Sequence, residues 1–337
     1  MATSITLPQR TLGRTGRQVS AIGLGTWQLG SDWGDVSEED ARAVLEASAE
    51  AGVTLFDTAD VYGDGRSERT IGAFRAANPS LPLTVATKMG RRADQVPSNY
   101  VLPNFREWTD RSRKNLGQDV LDLVQLHCPP TAVYEDDALY DALDTLVDDG
   151  AIAAYGVSVE EAGQALTAIA RPHVASVQII LNAFRLKPLD AVLPAAAEAG
   201  VGILARVPLA SGLLSGKYDE RTKFAKDDHR NYNRNGEAFD QGETFSGVDY
   251  DRGVEAARRF SRLVAETAPD GTTPAQAALA WVAQLPGVTT VMPGARSVEQ
   301  ARSNAAAAAL PTLGDAFDRG VHALYDEFFR AEIHHRW

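Results

Sequence analysis

The chain has 337 residues, 44% of them apolar and 23% charged, the balance of an ordinary folded protein with enough apolar mass for a large core. A formal net charge of −12 repels polyanions and so disfavours nucleic acid and anionic membrane surfaces as partners. The single cysteine, Cys128, permits no intrachain disulfide. The opening MATSITLPQRTLGRTGRQ lacks the apolar core of a secretory signal, and no run of about 18–20 apolar residues is available to span a bilayer, so the cytoplasm is the expected location.

In chain order, residues 9–12 and 18–22 flank Gly13-Arg14-Thr15-Gly16 and predict a β-hairpin. Short, nearly continuous apolar runs then recur at 20–24, 54–57, 83–88, 123–127, 154–158, 176–180, 202–206 and 288–292, the pattern of strands buried on both faces of a parallel sheet. Helix-phased segments lie between them. Residues 38–51 stop at Gly52, 138–148 at Gly150 and 189–199 at Gly200, while 273–285 begins with a capping Thr273 and Pro274. Eight such units predict an α/β fold: one (β/α)₈ TIM barrel domain over 1–337, with the N-terminal β-hairpin capping the barrel bottom. Residues 218–250 break the repeat, being polar, rich in Gly and Asn, with Phe224, Tyr232, Phe239 and Phe245 at no period; a loop this long is expected to be functional or disordered.

In such a barrel the C-terminal strand ends face the active site. Three successive apolar strands close on a titratable group: Asp57, Lys88 and His127. Placing such groups there carries a desolvation penalty that packing alone does not justify. The fourth partner is Tyr62, in the loop DTADVYGDGRSE. A phenol has a pKa of roughly 10, and a neighbouring Lys88 ammonium, held by Asp57, is expected to lower it. With His127 orienting a carbonyl, the set suits protonation of an oxygen that becomes an alkoxide.

The strings GLGTWQLG, LFDTADVYGDGRSE, TKMG, LDLVQLHCPP, VPLASGLLSGKY and MPGARSVEQARSN, in that order and spacing, resemble the aldo-keto reductase family over nearly the whole chain. The resemblance implies Asp57, Tyr62, Lys88 and His127 as the catalytic residues and NADPH/NADP+ as cofactor. It implies a small-molecule carbonyl substrate met by Trp27, Tyr62 and His127. It carries cofactor contacts onto Gly25, Thr26, Trp27, Asp57, Ser158, Gln178, Arg206, Pro208, Leu209, Ser211, Leu213, Lys217, Gly294, Arg296, Gln300 and Asn304. Gly294 and Ala295 open a helix N-terminus, a natural anion site, and Arg296 suits the 2′-phosphate of NADPH. Three positions depart from the family pattern: Val159 replaces the usual Asn after Ser158, Pro130 an acidic residue, and Arg206 an aromatic one. Arg206 is expected to stack on the nicotinamide ring.

Other readings are less favoured. The glycines of GLGTWQLG lack the dinucleotide fingerprint spacing. Cys128 is read as a small buried residue facing away from the side of His127. His229, His334 and His335 are read as solvated, with no metal-ligand spacing and no metal expected. Arg91, Arg92 and the 218–250 segment are expected to line the substrate pocket. The alternative function is a cofactor-sensing accessory subunit on the same fold; a metal-dependent barrel hydrolase is a third. Oligomeric state is not legible in the sequence.

Overall fold

The apolar runs close on one another because each has two faces to bury. The structure, a computed structural model, describes residues 7–30 and 36–337. Strands β1 (Gln9–Thr11) and β2 (Gln18–Ser20) pair antiparallel as the hairpin. The barrel strands follow: β3 (Leu24–Gly25), β4 (Leu55–Asp57), β5 (Thr84–Met89), β6 (Leu123–His127), β7 (Tyr155–Ser158), β8 (Val174–Ile180), β9 (Gly202–Arg206) and β10 (Val288–Met292). They form an eight-stranded parallel sheet in sequence order, and bridges from Ile22 to Val291 and from Gly25 to Gly294 join the last strand to the first.

Helices α1 (Glu38–Glu50), α2 (Arg66–Ala77), α3 (Leu102–Leu116), α4 (Asp137–Asp148), α5 (Ala162–Ile169) and α6 (Val192–Ala199) follow β3 to β8 in turn. After β9 come the short α7 (His229–Tyr232), then α8 (Tyr250–Thr267) and α9 (Pro274–Gln284); α10 (Val298–Ala306) and α11 (Gly314–Phe328) follow β10. The Thr273–Gln276 capping box starts α9 as its sequence predicts.

Side-chain alternation divides the barrel interior into layers. Leu55, Ala86, Leu123, Leu204 and Met292 pack inside it with Leu12 and Val19 of the hairpin, forming an apolar floor. The hairpin turn seals that floor: a Cβ on Gly13 (φ +47°) would fall 1.9 Å from the Ala175 carbonyl oxygen, so only glycine lets the turn approach the strand starts. Arg14 reinforces the seal by donating to the carbonyls of Arg171, Pro172, Val174 and Ala199. Two residues further along, β4, β5, β6 and β9 present the polar side chains Asp57, Lys88, Gln125 and Arg206. Register sets Lys88 beside Gln125, His127 beside Ser158 and Ser158 beside Gln178.

One expectation changes, and one left with two alternatives falls on the ordered side. The run at 20–24 divides, Ser20 ending the hairpin and Leu24–Gly25 forming the barrel strand. Residues 218–250 are folded against the open end of the barrel, through α7, two 3-10 turns and an aromatic cluster of Tyr218, Phe224, Phe245 and Tyr250 with ring centroids 5.0–5.9 Å apart.

Candidate active site

β4 and β5 present Asp57 and Lys88 into the barrel above the apolar floor. Lys88 Nζ, almost fully buried, donates to Asp57 Oδ2 (2.6 Å) and the Thr58 carbonyl (2.8 Å), and lies 3.5 Å from the Tyr62 hydroxyl. Burial opposes the ammonium, but Asp57 and Tyr62 outweigh it and raise the Lys88 pKa. The other Asp57 oxygen accepts from Gln178 Nε2 (2.8 Å) and Gln125 Nε2 (3.2 Å). Four strands thereby converge on one carboxylate.

Tyr62 reaches this layer because its loop folds tightly on the turn after β3. A Cβ at Gly63 (φ +57°) would lie 2.0 Å from the Gly30 carbonyl oxygen, so glycine is required there. Trp27 stacks on Tyr62 with centroids 5.9 Å apart, and His127 meets Tyr62 edge-on at 6.0 Å. The expected fall in the Tyr62 pKa is not found. Burial raises it more than Lys88 lowers it, and Asp57 adds to the rise. His127 is held well below its ordinary value by burial, then by Arg91, Lys88 and Arg206, so its imidazole is neutral.

Of these groups, Trp27, Asp57, Tyr62 and His127 line one end of a cavity of about 590 Å³. Gly25, Thr26, Ser158, Gln178, Arg206, Pro208, Leu209, Ser211, Lys217, Gly294, Arg296, Gln300 and Asn304 line its remainder. Gln300 Oε1 accepts from the Arg296 amide (2.8 Å), and Asn304 Nδ2 donates to the Gly294 carbonyl (3.1 Å), bracing the entry to α10. Leu213 lies in the hydrophobic core and not among the lining residues. Val159 is likewise buried in the core and offers no amide.

Arg206 reaches the cavity, but its guanidinium is fixed by ionic contacts. Nη2 donates to Glu160 (2.7 Å) and the Val159 carbonyl (3.1 Å), and Nη1 lies 3.8 Å from Glu243. Arg91 sits behind the wall, donating to the His127 carbonyl (3.2 Å) and to Glu243 (3.0 Å). Arg92 pairs with Asp64. Cys128 is half-buried rather than plain core. It follows His127 with φ 50°, which breaks the alternation, and its sulfur lies 3.4 Å from Ser158 Oγ. Burial, then Glu160, pushes its thiol up to about 12, which disfavours the thiolate. Cys128, Glu160 and Glu243 bring three possible ligand atoms within 4.8 Å of one another, but Arg91 and Arg206 already neutralise the carboxylates.

Two of the histidines read as solvated are not. His229 is buried on the cavity wall, 5.2 Å from the Trp27 ring, and His334 bonds Asp190 and Tyr325. His335 is exposed as expected. The sequence reading passed over Gln125, Glu160 and Glu243. Gln125 carries a signal, since it stands two residues before His127 in an apolar strand and so shares its face.

The polar layer of the barrel thus pairs a buried lysine with a cavity-facing tyrosine, the arrangement of a site built to move a proton. The model of the Aldo/keto reductase family matches residues 21–320, and the chain belongs to that family. An uncharacterized oxidoreductase of Mycobacterium tuberculosis is 36% identical over 298 residues, covering 86% of this chain and 85% of that protein. An aldo-keto reductase of Bacillus subtilis is 30% identical over 295 residues, covering 86% and 85%. Among solved structures, the glycerol dehydrogenase of Gluconobacter oxydans superposes with a TM-score of 0.76 at 27% identity, covering 98% of this chain and 97% of that one. No helix among the described residues is long and apolar enough to cross a membrane.

Proposed function

We propose that the protein reversibly reduces an aldehyde or ketone with NADPH, Tyr62 donating the proton. The observation that carries this reading is the Asp57–Lys88–Tyr62 chain, with contacts of 2.6 and 3.5 Å, at the inner end of a long cavity. The similar glycerol dehydrogenase, named for an alcohol, is consistent with it.

The residues present fit a dinucleotide with an extra phosphate. Arg296 is lowered by burial and then by the charge of Arg230, and both line the end of the cavity that holds Lys217. A phosphate among these cations relieves their repulsion, and the N-terminus of α10 adds partial positive charge. Ser158 and Gln178 would hold the carboxamide end, residues 208–217 the diphosphate, and Arg296, Gln300 and Asn304 the adenosine phosphate. Gln178 Nε2 is committed to Asp57, which leaves Oε1 to accept an amide proton. When bound, the cofactor supplies the hydride.

The chain's own groups manage the oxygen. A neutral His127 donates a hydrogen bond to the carbonyl and orients it, without the charge that an imidazolium would add. The raised Tyr62 pKa keeps the phenol protonated, the form a general acid needs before transfer. Lys88 then stabilises the phenolate, and Asp57 holds Lys88 charged and in place. Trp27 covers one face of the phenol.

Tyr62→Phe tests the reading. Carbonyl reduction should fall by on the order of 10²–10⁴ in kcat/KM, while NADPH binding, followed by its fluorescence, is retained. A variant that keeps most of its turnover on a good aldehyde rules out Tyr62 as the donor.

A further inference from the structure

The chain beyond α11 is tied to the segment between β8 and α6. The Phe329 ring lies 4.7 Å from that of Phe184, and His334 Nε2 lies 2.8 Å from Asp190 Oδ2. Trp337 follows, partly buried against the core and outside the cavity lining. Its indole N–H donates to Asp240 Oδ1 (3.0 Å), the oxygen that also accepts from the Gly242 amide (2.7 Å). A Cβ on Gly247 (φ +76°) would fall 2.2 Å from the indole, so at that position the ring meets backbone alone. Trp337 thereby fixes where the 240–247 stretch sits, and Glu243 belongs to that stretch.

The indole also carries Arg185, whose guanidinium carbon lies 4.0 Å from the ring centroid. Arg185 is fully buried. Nη2 donates to the Glu160 carbonyl (2.7 Å), while Nη1 has no hydrogen-bond partner among the described residues. A Cβ on Gly242 would lie 2.1 Å from that Nη1, so backbone closes over it as well. Burial lowers the Arg185 pKa to about 10 against the pull of Glu160. A buried cation with an unanswered donor is costly, and the electron-rich face of the indole offsets part of that cost.

The two residues that this stack grips are the two acids of one buried cluster. The Glu160 carboxylate accepts from Arg206 (2.7 Å) and Arg91 (3.3 Å), and that of Glu243 accepts from Arg91 (3.0 Å). Arg206 lines the cavity, and Arg91 donates to the His127 carbonyl (3.2 Å). Moving either carboxylate away would leave a buried cation short of its partner, so the four charges move together or not at all. We propose that Trp337, stacked on Arg185, is a positioning residue that holds Glu160 and Glu243, and through them Arg206 and the His127 backbone, in their working places. Carbonyl turnover then depends on a side chain that never meets the substrate. This inference rests on the reductase reading.

The test compares the wild type with Trp337→Leu, which keeps apolar bulk but loses the π face and the donor, and with Trp337→Phe, which keeps a π face. The substrate is whichever of propanal, benzaldehyde, glyceraldehyde and methylglyoxal the wild type reduces best with NADPH. Rates are normalised to NADPH-binding sites, so unfolded protein is not counted. Trp337→Leu should lower kcat/KM by roughly three- to thirtyfold, the range of a cation–π contact from partly to fully desolvated. The Kd for NADPH should stay within about twofold, as for an independent site, and Trp337→Phe should recover most of the loss. In a Glu243→Gln background the effect of Trp337→Leu should be at least threefold smaller, because the two act through one cluster. Losses that multiply independently overturn the proposal. So does a Kd that rises as far as kcat/KM falls, or a Trp337→Leu enzyme within twofold of wild type. If Glu243→Gln does not fold, amide exchange decides: it should quicken over 240–247 in Trp337→Leu, and unchanged exchange there refutes the brace. Failure of the wild type to reduce any of the four aldehydes removes the reductase reading instead, and this role with it.

Discussion

Asp60 lies two residues before Tyr62, fully buried, and neither of its carboxylate oxygens receives a hydrogen bond from the described residues. Burial, then repulsion from Glu68, raises its pKa to about 7 against the pull of Arg92 and Arg111. A carboxyl raised in the folded state binds its proton more tightly there than in the unfolded chain. Its contribution to stability is therefore complete below about pH 4 and is lost as the pH rises through about 7. Asp60→Asn keeps the shape and cannot ionise, so its melting temperature relative to wild type should climb between pH 5 and pH 8, by on the order of a few degrees. Calorimetry at the two pH values checks this, and a constant difference would refute it. At this scale Asp57, Lys88 and His127 were legible as candidates because each puts a titratable group at the end of an apolar strand, whereas Tyr62, in a loop, stood out only beside those three. Gln125 was legible by the same parity. The direction of the Tyr62 pKa was not, because it depends on how deeply walls from distant loops bury the phenol.

The element that most shapes the site is the 218–250 segment, and buried side chains help its own backbone bonds to hold it. Asn233 Oδ1 accepts from the amides of Ala238 and Phe239, while its Nδ2 donates to Thr244 Oγ1. Asn182, fully buried, donates through Nδ2 to both the Val207 carbonyl (2.9 Å) and Ser246 Oγ (2.8 Å). Each of these partners lies in left-handed backbone, Val207 at φ 53° and Ser246 at φ 61° within Phe245–Gly247. A β-branched residue in that region is strained and persists only where its surroundings fix it. Asn182→Ala should therefore release both loops together, costing about 1–3 kcal/mol for the unsatisfied groups. Amide exchange should quicken at both 207–211 and 243–247. Acceleration in only one of them would show that the two are not coupled through Asn182. None of this was visible beforehand. Strand positions followed from local apolar runs, but a polar, aperiodic stretch carries no pattern, and its order comes from partners far away in sequence. The burial of His229 and Glu243, and with it their inclusion in the site, is a product of that folding.

For the whole molecule, the decisive feature is the contrast between a net charge of −12 and a cavity end carrying Lys217, Arg230 and Arg296. The global field opposes a polyanionic cofactor, and the local cations must overcome it at short range, where screening by salt is weakest. Arg230 already pairs with Asp228, accounting for part of its charge, whereas Arg296 is lowered by burial and by its neighbour. A phosphate beside Arg296 would offset the repulsion from Arg230. If that phosphate is the 2′-group, Arg296→Ala should raise the Kd for NADPH by roughly tenfold or more, as expected for loss of a charge-assisted hydrogen bond. The Kd for NADH, which lacks the group, should move far less. The same substitution should flatten the salt dependence of NADPH binding, since one charge contact has gone. Titration of both cofactors by fluorescence at low and high ionic strength separates the outcomes. Equal losses for NADPH and NADH would mean that Arg296 supports the fold of the cavity end or the shared diphosphate, and the preference for NADPH would then need another source.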